Sequence, residues 1–504
     1  MSLPRWMEPL LDAAQMRATD EWAIKTKRVP SLDLMERAGE GLARVIAQRA
    51  PAGRIAIVCG KGNNGGDGLV AARLLRGAGR DVDVLTVWSP EFLQGDAAKQ
   101  LERLPGDPPA PFAAERLNGA HALVDALLGT GSSGAPRDPA AGVIEAMNAA
   151  KAPVVAADVP SGVDASTGEV PGAAIRAVAT ATFHRAKPGL WIRPGKAHAG
   201  DVEVIEIGIP RGTPAKPEMG LIADGVLADV PRRGAESTKF TSGNVFVIGG
   251  SQGLTGAPTM AALAAMRSGA GYVTVGAPAQ LEATFSVRLL EAMMIGLPSE
   301  DGGLSGEAVE PALKAIRRAD AVVLGPGLGR TEGAQAFARE MFERIDVPLV
   351  IDADGLNALA GVFPEDLPQR RWPTVLTPHA GELGRLLGVE SAEVERQRLH
   401  HAREAASRSR AIVVLKGDDT LVCSPNGRVA ISRGGAPALA TAGTGDVLSG
   451  LTGAMLAKGL PPAHAACAAV FAHVRAGRLA AAPYGPDGVI ASDVIQHLPA
   501  ALAP

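Results

Sequence analysis

Residues 54–68 read RIAIVCGKGNNGGDG. The stretch opens with a short, almost wholly apolar run at 54–59, continues through a glycine-rich turn, and leads into a helical apolar run at 69–75. A strand that is apolar at nearly every position suits burial on both faces, and strand–turn–helix order with such strands marks a parallel sheet covered on each side. Outward from this point the pattern repeats. Apolar runs at 82–87, 122–128, 153–157 and 202–207 are each followed by a loop or helix. Upstream, the first 50 residues read as two helices, the second capped by Ser31 and carrying Leu32, Met35, Leu42, Val45 and Ile46 at helical spacing. Downstream, residues 209–219 (IPRGTPAKPEM) hold three prolines and read as a linker. A second alternating series follows, with strands expected at 245–248, 272–275, 321–324, 348–351, 374–376 and 412–415 and two alanine-rich helices near Gly445 and Pro462. The expectation is an α/β chain of two tandem domains, 1–214 and 215–504.

Composition narrows the function. The 504 residues carry 50 Lys and Arg against 53 Asp and Glu, a net charge of −3, and only 5 Trp, 2 Tyr and 10 Phe. Neither the basic excess nor the stacking aromatics of a nucleic-acid surface are present. Cys59, Cys423 and Cys467 form no C-x-x-C pair, which excludes a disulfide framework or zinc ribbon and makes them core or strand residues. The amino terminus has charges where a signal peptide needs an apolar core, and no stretch of about 18 apolar residues exists. A soluble cytoplasmic protein without nucleic-acid or membrane partners is expected.

In open parallel sheets ligands bind at the carboxyl ends of the strands, so the strand-to-helix loops are where chemistry belongs. Loop 60–68 holds a formal G-x-G-x-x-G (Gly60, Gly62, Gly65), but the next strand ends at VWS, residues 87–89, without the acid a dinucleotide site needs. Its polar cluster, Asn63, Asn64 and Asp67, is either a ligand site or a set of turn caps. Loops 125–138 and 157–168 add Asp125, Asp158 and Ser161, with Asp164 read as a turn cap; oxygens of Asn64, Asp125 and Ser161 could hold a hard cation. In the second half, ATAGTGDVLSG at 440–450 places Gly443 and Gly445 before a helix expected at 446–458, an anion hole with Asp446 in the first turn. Asp446 is either a base for phosphoryl transfer or an ordinary cap; the amides beside it should lower its pKa. GPGLG (325–329), IDADGLN (351–357), LTPHAGE (376–382) and KGDDT (416–420) follow other strands. His400–His401 falls in a polar helical stretch and reads as solvated. No Walker A loop, H-E-x-x-H or G-x-S-x-G elbow is found.

GNNGGDG, DALLGTG and DVPSGVD resemble the NAD(P)H-hydrate epimerase domain, a Rossmann-like fold. GPGLG, VIDADGLNAL, LTPHAGE, LKGDDT and ATAGTGDVLSG resemble the ribokinase-like NAD(P)H-hydrate dehydratase. Together, over residues 10–495, the chain resembles the bifunctional nicotinamide-nucleotide repair family. The resemblance implies epimerisation of the R and S hydrates at C6 of NADH and NADPH, and dehydration of the S hydrate with ADP split to AMP and phosphate, in the company of potassium and Mg2+ and in a homo-oligomer. It implies that the first domain's substrate meets Asn63, Asn64, Gly65, Gly66, Asp67, Gly129, Thr130, Gly131, Ser132, Ser133, Gly134, Ala135 and Asp158, with potassium on Asn64, Asp125 and Ser161. In the second domain the hydrate would meet Ala257, Gly327, His379 and Asp446, and the nucleotide Lys416, Gly417, Asp418, Asp419, Thr420 and Gly445. Asp158, with Asp67 second, is the expected proton shuttle for epimerisation, and Asp446 the base that frees the C6 hydroxyl for phosphorylation. Departures are small: Ala380 and Leu439 stand where the family commonly has Pro and Met. His184 and Lys187 in FHRAKPG receive no role. The alternative reading is a vitamin or sugar kinase of the ribokinase superfamily fused to a nucleotide-binding module.

Overall fold

A computed structural model describes residues 3–363 and 370–503. Contacts divide the chain into two compact units: Met1–Leu3 with Pro9–Met219, and Pro4–Glu8 with Gly220–Pro504. This differs from a plain cut between 214 and 215, because a segment near the amino terminus folds into the second unit. The first strand, β1 (Met7–Leu10), begins in that segment.

The first unit is built on β2 (Ile55–Cys59), β3 (Val82–Thr86), β4 (Ala110–Pro111), β5 (Ala122–Ala126), β6 (Val154–Ala157), β7 (Ala179–Phe183) and β8 (Asp201–Ile205). Their order is β4-β3-β2-β5-β6-β7-β8, with every pair parallel. Ile55, Ile57 and Cys59 join one core cluster and Ala56 and Val58 the other, so both faces of β2 are covered and the all-apolar run is explained. The chain order reverses between β2 and β5, which opens a crevice at their carboxyl ends. Glycine is required there: a Cβ on Gly60 would lie 1.9 Å from the Leu127 carbonyl oxygen, and one on Gly65 2.0 Å from that of Gly60. The helix after β2 starts at Asn63 rather than near Leu69, so the GNNGGDG stretch forms its first turns instead of a loop. Ser31 is the first residue inside its helix, with Pro30 at the cap position and no side-chain cap bond, so it does not cap as expected. β7, absent from the expectations, sits between β6 and β8.

The second unit holds an eleven-stranded sheet made with β1 and with β9 (Met219–Ile222), β10 (Asn244–Ile248), β11 (Tyr272–Pro278), β12 (Met293–Leu297), β15 (Ala321–Leu324), β16 (Leu349–Ile351), β17 (Thr374–Leu376), β18 (Ile412–Leu415), β19 (Leu421–Cys423) and β20 (Val429–Ile431). A separate hairpin pairs β13 (Ser299–Glu300) with β14 (Gly303–Leu304). The run β18-β17-β16-β15-β10-β11-β12 is parallel throughout; β19 and β20 turn back antiparallel. The six strands expected from sequence make up that run except for its edge strand β12; β12 and the strands beyond β18 are additions. Three helices close the unit, Thr444–Ala457, Pro462–Tyr484 and Ala491–Leu502, one more than expected. Trp6 stacks on His464 with ring centroids 5.0 Å apart, and Glu8 pairs with Arg433, tying the Pro4–Glu8 segment into this unit. The three cysteines are buried and free. Among the described residues no helix is long and apolar enough to cross a membrane.

Candidate active sites

In the first unit a cavity of about 580 Å3 opens at the carboxyl ends of the strands. Asn63, Asn64, Asp67, Gly129, Thr130, Gly131, Ser132 and Asp158 line it. Gly65, Gly66, Ser133, Gly134 and Ala135 are not among its lining residues. The two glycines serve packing instead: a Cβ on Gly66 would lie 2.7 Å from the end of Met35. Asp158 follows β6 in a left-handed conformation (φ 64°) that aims its carboxylate at neighbouring loops. It accepts hydrogen bonds from Lys187 Nζ, from Thr130 Oγ1 and, at 3.3 Å, from the Phe183 amide. Lys187 is fully buried and also donates to Thr182 Oγ1 and the Phe183 carbonyl, each at 2.9 Å. Burial alone would raise the Asp158 pKa, but the Lys187 charge and these hydrogen bonds outweigh it and hold the group below its ordinary value.

Of the other carboxyl groups lining the same cavity, Asp67 and Asp20 behave oppositely to Asp158. Burial, then the nearby charges of Asp158 and Asp20, push Asp67 well above the usual carboxylate range. Burial raises Asp20 to about 6, with Lys187 opposing and Asp158 adding to the rise. Three carboxyls thus share one ammonium, and Asp158 claims it. Sequence reading passed over Asp20, which lies in no motif, and gave Lys187 no role although FHRAKPG had drawn attention to it. His184 is buried, adopts φ 63° and does not line the cavity.

Asn64 and Ser161 meet at the Leu128 carbonyl, and Ser161 in turn bonds Asp125. Ser161 donates to Asp125 through its amide (2.7 Å) and its hydroxyl (2.6 Å). The Leu128 carbonyl accepts from Asn64 Nδ2 (2.9 Å) and from Ser161 Oγ (3.3 Å). Burial lifts Asp125 to about 6 against the hydrogen bonds from Ser161 and Leu127. Asp164 accepts from the Ser166 and Thr167 amides at 2.8 and 2.9 Å, the turn cap expected of it.

In the second unit the loops after β15, β16, β17 and β18 come out at one end of the sheet. The Lys416 ammonium, at the end of β18, bonds Asp352 Oδ1 at 2.8 Å and lies 3.5 Å from Glu382 Oε2. Burial would lower the Lys416 pKa, but Asp352 and Glu382 raise it. His379 caps the Ala380–Leu387 helix, its Nδ1 accepting from the Gly381 and Glu382 amides, while Glu382 Oε2 accepts from the His379 amide at 2.8 Å. Burial lowers the His379 pKa against the pull of Glu382. Gly327 (φ 62°) packs on the segment leading to Ala257, since a Cβ there would lie 2.4 Å from the Leu254 carbonyl oxygen. Gly443 packs on Met260 of the Gly256–Arg267 helix, which draws the GTGD turn to the same place.

Asp446 lies in the first turn of the Thr444–Ala457 helix, half-buried. Its pKa is raised to about 7, not lowered: burial comes first, then Asp352, with Lys416 opposing and Glu382 and Asp354 adding to the rise. The helix amides are outweighed because Lys416 is already engaged by Asp352 and Glu382. Those two acids, inside quoted motifs but not singled out, are the partners the sequence reading missed. In the 416–420 loop, Asp418 accepts from the Gly435 amide at 2.9 Å and Thr420 bonds back to the Gly417 carbonyl at 2.7 Å. Asp419 is fully buried and paired with Arg398 at 3.0 Å, so it braces the loop rather than facing a ligand. Gly445 faces Lys416, whose Nζ would lie 3.6 Å from a Cβ placed there. His401, expected to be solvated, is buried, whereas His400 is exposed.

Comparison with known proteins agrees with this division. The profile of the YjeF-related protein N-terminus matches residues 31–189, and that of NAD(P)H-hydrate dehydratase residues 245–500. The chain is 40% identical to the bifunctional NAD(P)H-hydrate repair enzyme of Salinibacter ruber, over 97% of this chain and 95% of the relative. It is 39% identical to that of Moorella thermoacetica, over 97% and 96%. A crystal structure of ADP/ATP-dependent NAD(P)H-hydrate dehydratase from Bacillus subtilis, co-crystallised with ATP and Mg2+, covers 55% of this chain and 94% of its own at 32% identity, with a TM-score of 0.48. With both profiles met in order and curated relatives matched almost end to end, the chain belongs to the family of bifunctional NAD(P)H-hydrate repair enzymes.

Proposed function

We propose that the first unit interconverts the R and S hydrates of NADH and NADPH, and that the second restores the S hydrate to the intact cofactor while splitting ADP into AMP and phosphate. The observation that carries this reading is the opposite displacement of two carboxyl pKa values in the first site, with the raised Asp446 beside the engaged Lys416 in the second. In the first cavity Asp67 is pushed well above the ordinary carboxylate pKa, mainly by burial, and Asp158 is held below it by Lys187 and its hydrogen bonds. Carboxyls whose environments drive their pKa values apart divide into an acid and a base. Asp67 protonates the departing C6 hydroxyl as the ring nitrogen pushes it out. Asp158 accepts a proton from the water that adds back to the other face, and Lys187 positions Asp158. This shares between two residues the shuttle first expected of Asp158.

A potassium ion suits Asn64, Asp125 and Ser161. Asn64 Oδ1 is a buried oxygen with no hydrogen-bond partner among the described residues, and Asp125 is a fully buried carboxylate with only neutral donors around it. Bound there, the cation would neutralise Asp125, since buried charges call for a partner. In the second unit, Asp446 takes the proton of the C6 hydroxyl as that oxygen attacks the terminal phosphorus of ADP and AMP leaves. The phosphate then departs from C6, pushed by the ring nitrogen, and loss of a proton from C5 restores the double bond. Lys416 and the amides at the GTGD turn hold the phosphate. Asp352 and Glu382 offer the carboxylates that a Mg2+ accompanying the nucleotide would take, and it would offset phosphate charge.

The test is stoichiometric. Purified S hydrate with the full chain and ADP should give one AMP and one phosphate per NADH formed, and an R hydrate should be consumed only after conversion to S. Phosphorylation of hydroxymethylpyrimidine or pyridoxal with no action on the hydrate would overturn the reading.

A further inference from the structure

We infer that the helix Arg398–Ser409 carries a transition-metal site made by His400, His401 and Glu404, away from both active sites. His401 is only 3% exposed, yet neither ring nitrogen has a hydrogen-bond partner among the described residues. Buried polar groups are nearly always satisfied, and an imidazole left unsatisfied in this way needs an explanation. What faces its nitrogens is carboxylate oxygen held just beyond bonding distance: Glu404 Oε2 lies 3.6 Å from Nδ1, and Glu393 Oε1 3.8 Å from Nε2. His400 Nε2 approaches the same Glu404 Oε2 at 3.9 Å, and ligand atoms of His400, His401 and Glu404 all lie within 4.8 Å of one another. Tetrahedral zinc with bonds of about 2.0–2.2 Å sets its ligands about 3.3–3.6 Å apart, so the two His–Glu404 distances need to contract by only a few tenths of an ångström and the histidine nitrogens, within 4.8 Å of each other, by at most about 1.5 Å.

The surroundings fit a ligand set. Arg408 Nη1 bonds Glu404 Oε1 at 2.7 Å, which steadies the carboxylate and leaves Oε2 turned to the histidines. Glu393, from the preceding Ser391–Arg396 helix, is placed to receive the second N–H of His401, the outer partner that fixes a metal-bound imidazole. His400 is exposed, so the site is open to solvent and keeps a coordination position for water. Two imidazoles and one carboxylate select a borderline dication of the zinc class over calcium or magnesium, which prefer all-oxygen sites. The same helix carries Arg398, bonded to Asp419 and to the Lys416 carbonyl, so a bound metal would stiffen the support behind the 416–420 loop.

The test is calorimetric titration of the untagged, chelator-treated full chain with Zn2+. One equivalent should bind, Mg2+ and Ca2+ should not replace it, and Zn2+ should raise the melting temperature. His400→Ala and Glu404→Gln, both at solvent-accessible positions, should each weaken Zn2+ binding by at least about tenfold while melting at the wild-type temperature without metal. Absence of stoichiometric Zn2+ binding, or binding unaffected by either substitution, would overturn the site and leave His401 as a packed core residue.

Discussion

Each unit places an aspartate at the carboxyl end of a parallel sheet near a lysine, and the two aspartates' pKa values move in opposite directions. Lys187 bonds Asp158 directly and holds it ionised. Lys416 is bonded to Asp352 and near Glu382, and Asp446 is left to burial and like charge, which carry it to about 7. The difference teaches that the presence of a cation does not set an acid's role; which carboxylate the cation is bonded to does. In the first unit the unclaimed acids are Asp67 and Asp20, and in the second the unclaimed acid is Asp446.

The largest effect expected of this contrast follows Asp446→Asn. Dehydration of the S hydrate should fall at least about a hundredfold, with nucleotide affinity held within about tenfold and epimerisation untouched. Near-normal dehydration in a spectrophotometric assay would reduce Asp446 to a helix cap. Next, Asp158→Asn should slow R-to-S conversion by about a hundredfold while sparing dehydration; a joint fall would mean lost stability rather than lost chemistry. The pH profiles should then differ in sign. Dehydration needs Asp446 ionised, so its kcat/KM should rise about tenfold per pH unit below 7 and level off above. Epimerisation uses Asp67 as the acid, so raising the pH should slow it rather than speed it. Profiles of the same shape would break the comparison.

A smaller effect is thermodynamic. The folded pKa of Asp446 is raised above its unfolded value, so the stability tied to its proton is complete below about pH 4 and lost as pH rises through about 7. Asp446→Asn should therefore make the second unit more stable than wild type at pH 8, by about 1–3 kcal/mol in a denaturant titration once solvent screening is allowed for. Asp158 has the reverse sign: its contribution is present above the unfolded pKa and fades in acid as pH falls through its lowered folded value. The smallest effect is ionic. Replacing potassium by a bulky organic cation at constant ionic strength should slow epimerisation and leave dehydration alone; an unchanged rate would make Asn64, Asp125 and Ser161 turn residues only.

Much of this was legible in sequence because fully buried strands such as IVVL at 412–415 leave an unmistakable apolar signature. β7 escaped because ATATF packs small residues and threonines whose hydroxyls find buried partners, such as Thr180 on the Ala199 carbonyl at 2.6 Å. GNNGGDG reads as loop because glycine has poor helix propensity; here close packing on Gly60, Met35 and Ala126 overrides it. The motifs brought the right loops together, yet they did not show which acid a lysine would bond. Asp20 and Lys187 join the first cavity from positions 138 and 29 residues away from Asp158, a nearness only the fold creates. The rise of Asp446 and the burial of His401 are likewise sums over neighbours distant in sequence.

The Pro4–Glu8 segment sets a schedule for biosynthesis. Trp6 leaves the ribosome more than 450 residues ahead of His464, on which it finally stacks. At about 5–20 residues per second, that strand waits roughly half a minute to a minute and a half for its partners. Within that interval the intervening Pro9–Met219 unit can complete its own sheet, since all its strands are made well before His464. The second unit closes by capturing a piece of chain made before the whole Pro9–Met219 unit, and until then Trp6 and Met7 are apolar bait for chaperones or for a neighbouring nascent chain.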